Sequence, residues 1–292
     1  MRPFAAIGLG LAGAALLLAA GAGVNRLRAN AGNTARLAPG DIALAGELTQ
    51  GGWARGTAPA GTVELTFNDK PVVVAPDRSF FVAFDRDAGA EARVVARLAD
   101  GGAVIRKLAI APRAWRLERI PIGPRPGTPP SEAYRIRREG ELKQINAARA
   151  IDSGSQGWRQ RFVWPAKGRL SGVFGSQRIY NGVPGSYHSG TDIATGASGT
   201  PFAAPADGVV ILAASSPFSL EGYLLMIDHG MGLNSAFLHC SQILVRQGEA
   251  VKQGQIIGRI GATGRATGPH LHWSVKWRDA RLDPILFTGP MQ

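Results

Sequence analysis

The chain has 292 residues, a formal net charge of +12 and one cysteine, Cys240. A single cysteine excludes an intramolecular disulfide and a cysteine-rich zinc site, so any metal must be held by histidine and carboxylate. With 45% hydrophobic residues, 39 glycines and 19 prolines, wholesale disorder is excluded and one large or two modest cores rich in strands and turns are expected; the basic excess suits polyanionic surroundings or simple solubility.

The amino terminus reads as an export signal. Arg2 is followed by a charge-free run from Phe4 to Val24, and Ala20-Gly21-Ala22 offers small residues of the kind a signal peptidase accepts. The run, roughly 20 residues, is also long enough to span a bilayer, so residues 1–30 read as a cleaved signal peptide or an uncleaved membrane anchor. Either places the protein outside the cytoplasm, in the periplasm or cell envelope, with an inner-membrane tether if the segment is kept. Export argues against nucleic acid as the partner of the basic charge.

Over residues 31–113, short β-prone runs ("TVELTF", "KPVVVA", "SFFVAF", "ARVVARLA", "AVIRKLAIA") alternate with turns, which predicts a small β-sandwich-like accessory domain. It carries no histidine, and structural support is its expected role. Residues 114–157 read as a linker with a charged helix. The prolines and glycines of "PRAWRLERIPIGPRPGTPP" forbid a long regular element, and Ser131 or Glu132 starts a helix running to about Ile151 despite Gly140. Its many charges are those of a solvated face.

All five histidines, at 188, 229, 239, 270 and 272, fall within residues 158–292. In "SYHSGTDIA", His188 and Asp192 converge on one cation if the backbone bends at Gly190. In "GATGRATGPHLHWSV", His270 and His272 at i and i+2 of an extended strand share one face. His188, Asp192 and His272 make the three-ligand set of catalytic zinc, with a further position open, and zinc lowers the pKa of bound water towards about 7 while polarising an amide carbonyl. Manganese, iron or cobalt would also suit this donor set. His239, in "NSAFLHCSQ", and His270 are then free to move a proton and to stabilise an oxyanion. The Glu base of an H-E-x-x-H protease is missing, so histidine must do that work. His229, beside Gly230 at a strand end, reads as a structural hydrogen-bonding residue, and Cys240 as a small apolar core residue facing away from its neighbour His239.

"YHSGTD", "FLHCSQILVRQGEAVKQGQIIGRIGATG" and "ATGPHLHW" resemble the H-x-x-x-D, central histidine and H-x-H of the M23 family of zinc metallopeptidases, the lysostaphin and LytM type, with "FGSQRIYNG" and "GTPFAAPADGVV" in family order. The resemblance runs from about Trp164 to Pro284. It implies a mainly β fold, an antiparallel β-sheet peptidase domain with a groove, one zinc ion on His188, Asp192 and His272, and catalytic roles for His239 and His270. The implied substrate is the peptide of bacterial peptidoglycan. Cys240, where the family often has leucine, and Ala266, where it often has serine, remove no catalytic group. The alternative is a non-catalytic LytM-like activator or scaffold of another wall hydrolase, which would be expected to have lost ligands; this chain keeps all of them. A lipoyl-type carrier lacks its Met-Lys turn, a nucleotide loop its Walker lysine, and a serine hydrolase its G-x-S-x-G.

Overall fold

In the strand Glu91–Leu98, Ala92, Val94 and Ala96 are buried while Glu91, Arg93 and Arg97 are exposed, the period-two pattern of a sheet with one wet face. The computed structural model describes residues 40–121 and 131–291, so the export signal read over residues 1–30 lies outside the described residues. Glu91–Leu98 is central to a four-stranded antiparallel sheet with Thr62–Phe67, Ala103–Ala109 and Lys70–Pro71. A second antiparallel sheet joins Ala43–Gly46, Trp53–Thr57 and Ser79–Ala83. Leu65, Phe80, Val82 and Val94 belong to the buried cluster between them, which gives the sandwich-like arrangement its core.

The strand Ser79–Ala83 is buried along almost its whole length because its second face is also covered. Phe81 and Trp53 meet Trp277 and Phe287 of the carboxy-terminal sequence, with ring centroids 6.2 Å and 5.2 Å apart respectively. Arg113 adds an ion pair to the buried Asp283 at 2.7 Å.

The proline-rich connection is more ordered than its composition predicts. Leu117–Ile120 forms a strand that pairs in parallel with Gln177–Tyr180, itself paired antiparallel with Val183–Pro184. The reason is local: residues 113–120 are free of proline and glycine, so nothing prevents an edge pairing. The helix follows as Glu132–Arg149, capped by the Ser131 hydroxyl, which accepts from the Tyr134 amide. It is not solvated all round. Ile145 and Ala148 pack on Leu224, Met226 and Ala236, and the buried Glu141 carboxylate accepts from the Ser219 amide and hydroxyl as well as from Arg137 and Arg138.

The surface under that helix is an eight-stranded antiparallel sheet. Its order is Ala250–Val251, Gly208–Ala213, Tyr223–Asp228, Leu233–Cys240, Leu271–Trp277, Thr191–Ala194 and Arg169–Gly172, with Ala280–Leu282 also pairing to Leu271–Trp277. Leu225, Ile227, Leu233, Phe237, Leu271, Trp273 and Val275 fill one face. Leu224, Met226 and Ala236 turn to the other, beneath the helix. His272 lies between Leu271 and Trp273, so it belongs to the helix side, on strands where helix residues no longer supply the cover.

Candidate metal centre

The pairing register brings the site together. Asp192 is directly opposite His272, and Leu238 flanks His272 on its other side. His188 enters from the loop before Thr191–Ala194. Its Nε2 is 3.1 Å from Asp192 Oδ1 and 3.1 Å from His272 Nδ1, while His272 Nδ1 is 2.8 Å from Asp192 Oδ1. These three are the group among the described residues whose ligand atoms all lie within 4.8 Å of one another.

The surroundings fit a cation. His188 Nδ1 lies 3.1 Å from the Val173 carbonyl, which can only accept, so Nδ1 carries a proton and Nε2 is the nitrogen turned to Asp192 and His272. Two glycines leave the room these groups occupy. A Cβ on Gly172 would collide with Asp192 Oδ2, and one on Gly190 would stand 2.6 Å from His272 Nε2. The backbone does bend at Gly190, as the sequence suggested, without a left-handed φ, so the residue supplies clearance as well. Burial opposes charge on Asp192, but hydrogen bonds from His188 and His272 overcome it and hold the carboxyl far below its ordinary range. His188 is raised: desolvation opposes its charge, and the Asp192 partner outweighs that. His272 is lowered, chiefly by desolvation.

His239 reaches this face through an irregularity. Along Leu233–Cys240 the core-facing residues are Leu233, Ser235 and Phe237, so strict alternation would turn His239 into the core. The register instead shifts opposite Tyr223–Leu225, and His239 takes a φ of 65°, a bulge that turns its ring to the site and returns Cys240 to the core. The bulge is held from the loop after Gly261: Thr263 O receives His239 Nδ1–H at 2.8 Å, and Thr263 Oγ1 donates to Cys240 O at 2.8 Å. His270 Nδ1 likewise donates to Gly268 O at 2.8 Å. In both rings Nδ1 is thus used by the fold, and Nε2 is the nitrogen left for the substrate. Their centroids are 4.9 Å apart, and His270 Nε2 is 3.8 Å from Asp192 Oδ1. Desolvation lowers the pKa of His239, keeping it neutral and able to take a proton near pH 7.

His229 is elsewhere, fully buried, with Nδ1 2.9 Å from Asp207 O and Nε2 2.8 Å from Ser235 Oγ. Burial pushes its pKa down to about 4. Since the folded value lies below the unfolded one of about 6.5, its contribution is complete above pH 6.5 and disappears as the pH falls towards 4. Denaturant titrations should show about 3 kcal/mol lost across that window, a loss absent in His229→Gln. Cys240 is also fully buried, with its thiol pushed up to about 12 by desolvation, and it is not among the converging groups. Cys240→Ser should keep metal content and most turnover, while its melting temperature falls because the buried hydroxyl must find a partner.

Of the cradle, Gly190 was marked by the sequence, as a bend; Gly172 and the carbonyls of Val173, Thr263 and Gly268 were not. Spacing could have pointed only to Gly268, two residues before His270.

A mainly antiparallel β protein with two histidines and an aspartate gathered on one sheet face, and two more histidines beside them, has the make-up of a metal-dependent hydrolase. The model of the family described as Peptidase family M23 matches residues 186–284. A crystal structure of an M23 protein from Pseudomonas aeruginosa is 30% identical and superposes over 83% of this chain and 96% of that one, with a TM-score of 0.63. The chain belongs to peptidase family M23. It is similar to the peptidoglycan DD-endopeptidases ShyA (37% identity over 133 residues) and ShyB (44% over 104) of Vibrio cholerae. Those matches cover 45% and 36% of this chain but only 30% and 24% of the relatives' own lengths.

Proposed function

We propose that the protein is a zinc-dependent endopeptidase that hydrolyses the peptide cross-links of bacterial peptidoglycan. The observation that carries this reading is the convergence of His188, Asp192 and His272 with His239 and His270 beside them, each anchored through Nδ1 so that Nε2 is left for the substrate. The three ligands would hold the ion, which supplies a Lewis acid for the amide carbonyl and its attacking water. His239 and His270 orient the scissile amide, one accepting the proton of the attacking water and the other donating to the developing oxyanion. Glycan cleavage is disfavoured because it commonly needs a pair of carboxylates across the bond, and Asp192 is committed to the ligand set.

The relatives named peptidoglycan DD-endopeptidases favour D,D-cross-links over glycyl bonds. The same relatives support an extracytoplasmic site of action, consistent with an export signal or anchor over residues 1–30. Residues 31–113 are then an accessory domain, 114–157 a connection, and 158–292 the peptidase domain. The test is digestion of purified sacculi of both cross-link types by zinc-loaded protein, with fragment masses as readout. Release of cleaved cross-links with intact glycan strands is expected. Shortened glycans, or no release by folded, zinc-loaded protein, would overturn the reading, and the latter would promote the activator alternative.

A further inference from the structure

Continuing along Leu271–Trp277 from His272, every second side chain stays on the same face, which brings Ser274 and then Lys276 onto the side of the sheet that carries the histidines. Arg281 is directly opposite Lys276 across the next strand pair and therefore shares that face. Like charges directly opposite in a sheet repel and are normally separated or bridged by an acid. Here, among the described residues, neither cation is within ion-pairing distance of a carboxylate: Asp85 Oδ1 and Oδ2 accept backbone amides of Asp87 and Arg281, and Arg281 Nη1 donates only to Tyr187 Oη, at 3.3 Å. A third cation completes the group. Arg149, in the last turn of the helix, has a buried Nε with no hydrogen-bond partner; desolvation and then the Arg281 charge lower its pKa, and desolvation and then the Arg149 charge lower that of Lys276, whereas Tyr187, Asp85 and Asp87 raise that of Arg281.

Neighbouring arginines behave differently. Arg113, Arg137 and Arg138 each reach a carboxylate at about hydrogen-bond distance, so acids are available where the fold uses them. Directly opposed cations with no ion-pair partner among the described residues, together with a buried guanidinium Nε that has no acceptor, are the arrangement of a site for an anion brought by something else. We propose that Arg149, Lys276 and Arg281 form a subsite that binds a carboxylate of the substrate peptide, along the same sheet face as the metal-binding cluster. The four-residue step from His272 to Lys276 spans about 13 Å of strand, the length of three to four extended peptide residues. The recognised carboxylate is thus a few residues from the scissile amide and not at it. This subsite rests on the endopeptidase reading for its substrate.

The test uses zinc-loaded protein and a soluble disaccharide-tetrapeptide fragment of peptidoglycan, in its native form and with its carboxylates converted to carboxamides. Calorimetric binding should be about tenfold or more tighter for the native fragment in the wild type. Lys276→Ala and Arg281→Ala should lose most of that preference while binding the amide form as the wild type does. The melting temperature of Lys276→Ala should match or exceed the wild type's, because a repulsive pair is removed, whereas Arg281→Ala also gives up its Tyr187 contact. Lys276→Gln keeps the aliphatic stem and gives the same readout if the alanine variant folds poorly. An unchanged preference in the variants, equal loss of binding for both forms, or no preference in the wild type would each overturn the subsite. Sacculus digestion separates the two readings: cleavage of cross-links without a carboxylate preference sinks the subsite alone, and a preference without cleavage sinks the endopeptidase alone.

Discussion

His188→Ala, Asp192→Ala and His272→Ala are expected to lose both bound zinc and turnover, whereas His239→Ala and His270→Ala keep stoichiometric zinc and lose kcat by about 100-fold or more. The division follows from where each lone pair points. The first three groups aim their donor atoms at one another, within 2.8 Å to 3.1 Å, and removing any one leaves two donors, too few for tight binding. His239 and His270 are anchored through Nδ1 to the Thr263 and Gly268 carbonyls, so their Nε2 atoms can serve substrate without holding the ion. Metal analysis of the five purified variants, with kinetics on sacculi, checks this. Stoichiometric zinc in His272→Ala, or zinc loss in folded His239→Ala, would reassign the roles.

The His270-x-His272 pair could be read from sequence because a strand has a period of two, and the structure keeps that period from Leu271 to Trp277. The sandwich-like sheets were legible for the same reason, since Glu91–Leu98 alternates without interruption. His239 was different. Its place on the site face depends on a bulge with a φ of 65° in a non-glycine residue, and no side-chain pattern encodes that. It is forced by Thr263, 24 residues away in sequence, whose carbonyl and hydroxyl both grip the bulge. The strand Leu117–Ile120 was hidden by its proline-rich flanks, and the burial of Glu141 by the exposed charges around it. In each case the deciding partner is distant in the chain, and local propensity could not report it.

Gly172→Ala and Gly190→Ala are expected to abolish stoichiometric metal binding and turnover while leaving the protein folded. At Gly190 the added methyl would stand 2.6 Å from both His272 Nε2 and the Trp273 carbonyl, and the backbone of a central strand cannot retreat, so the imidazole must rotate away from Asp192. At Gly172 the methyl meets the Asp192 carboxylate and His188 Cε1, displacing two ligands at once. Displacements of this size matter because orientation of the donor groups sets metal affinity, with losses of about 10- to 100-fold typical even for indirect changes. The core should survive, since the side chains struck first are those of the ligands and the packed side chains of Leu271, Trp273 and Ile193 are not among the nearest atoms. Gly268→Ala is the control: nothing lies within 4 Å of its added methyl, and its carbonyl remains for His270, so metal content should be unchanged. Far-ultraviolet circular dichroism with metal analysis distinguishes the outcomes. Full zinc occupancy in Gly172→Ala and Gly190→Ala would mean the cluster has slack that its close contacts do not show, and the three-ligand assignment would need another donor.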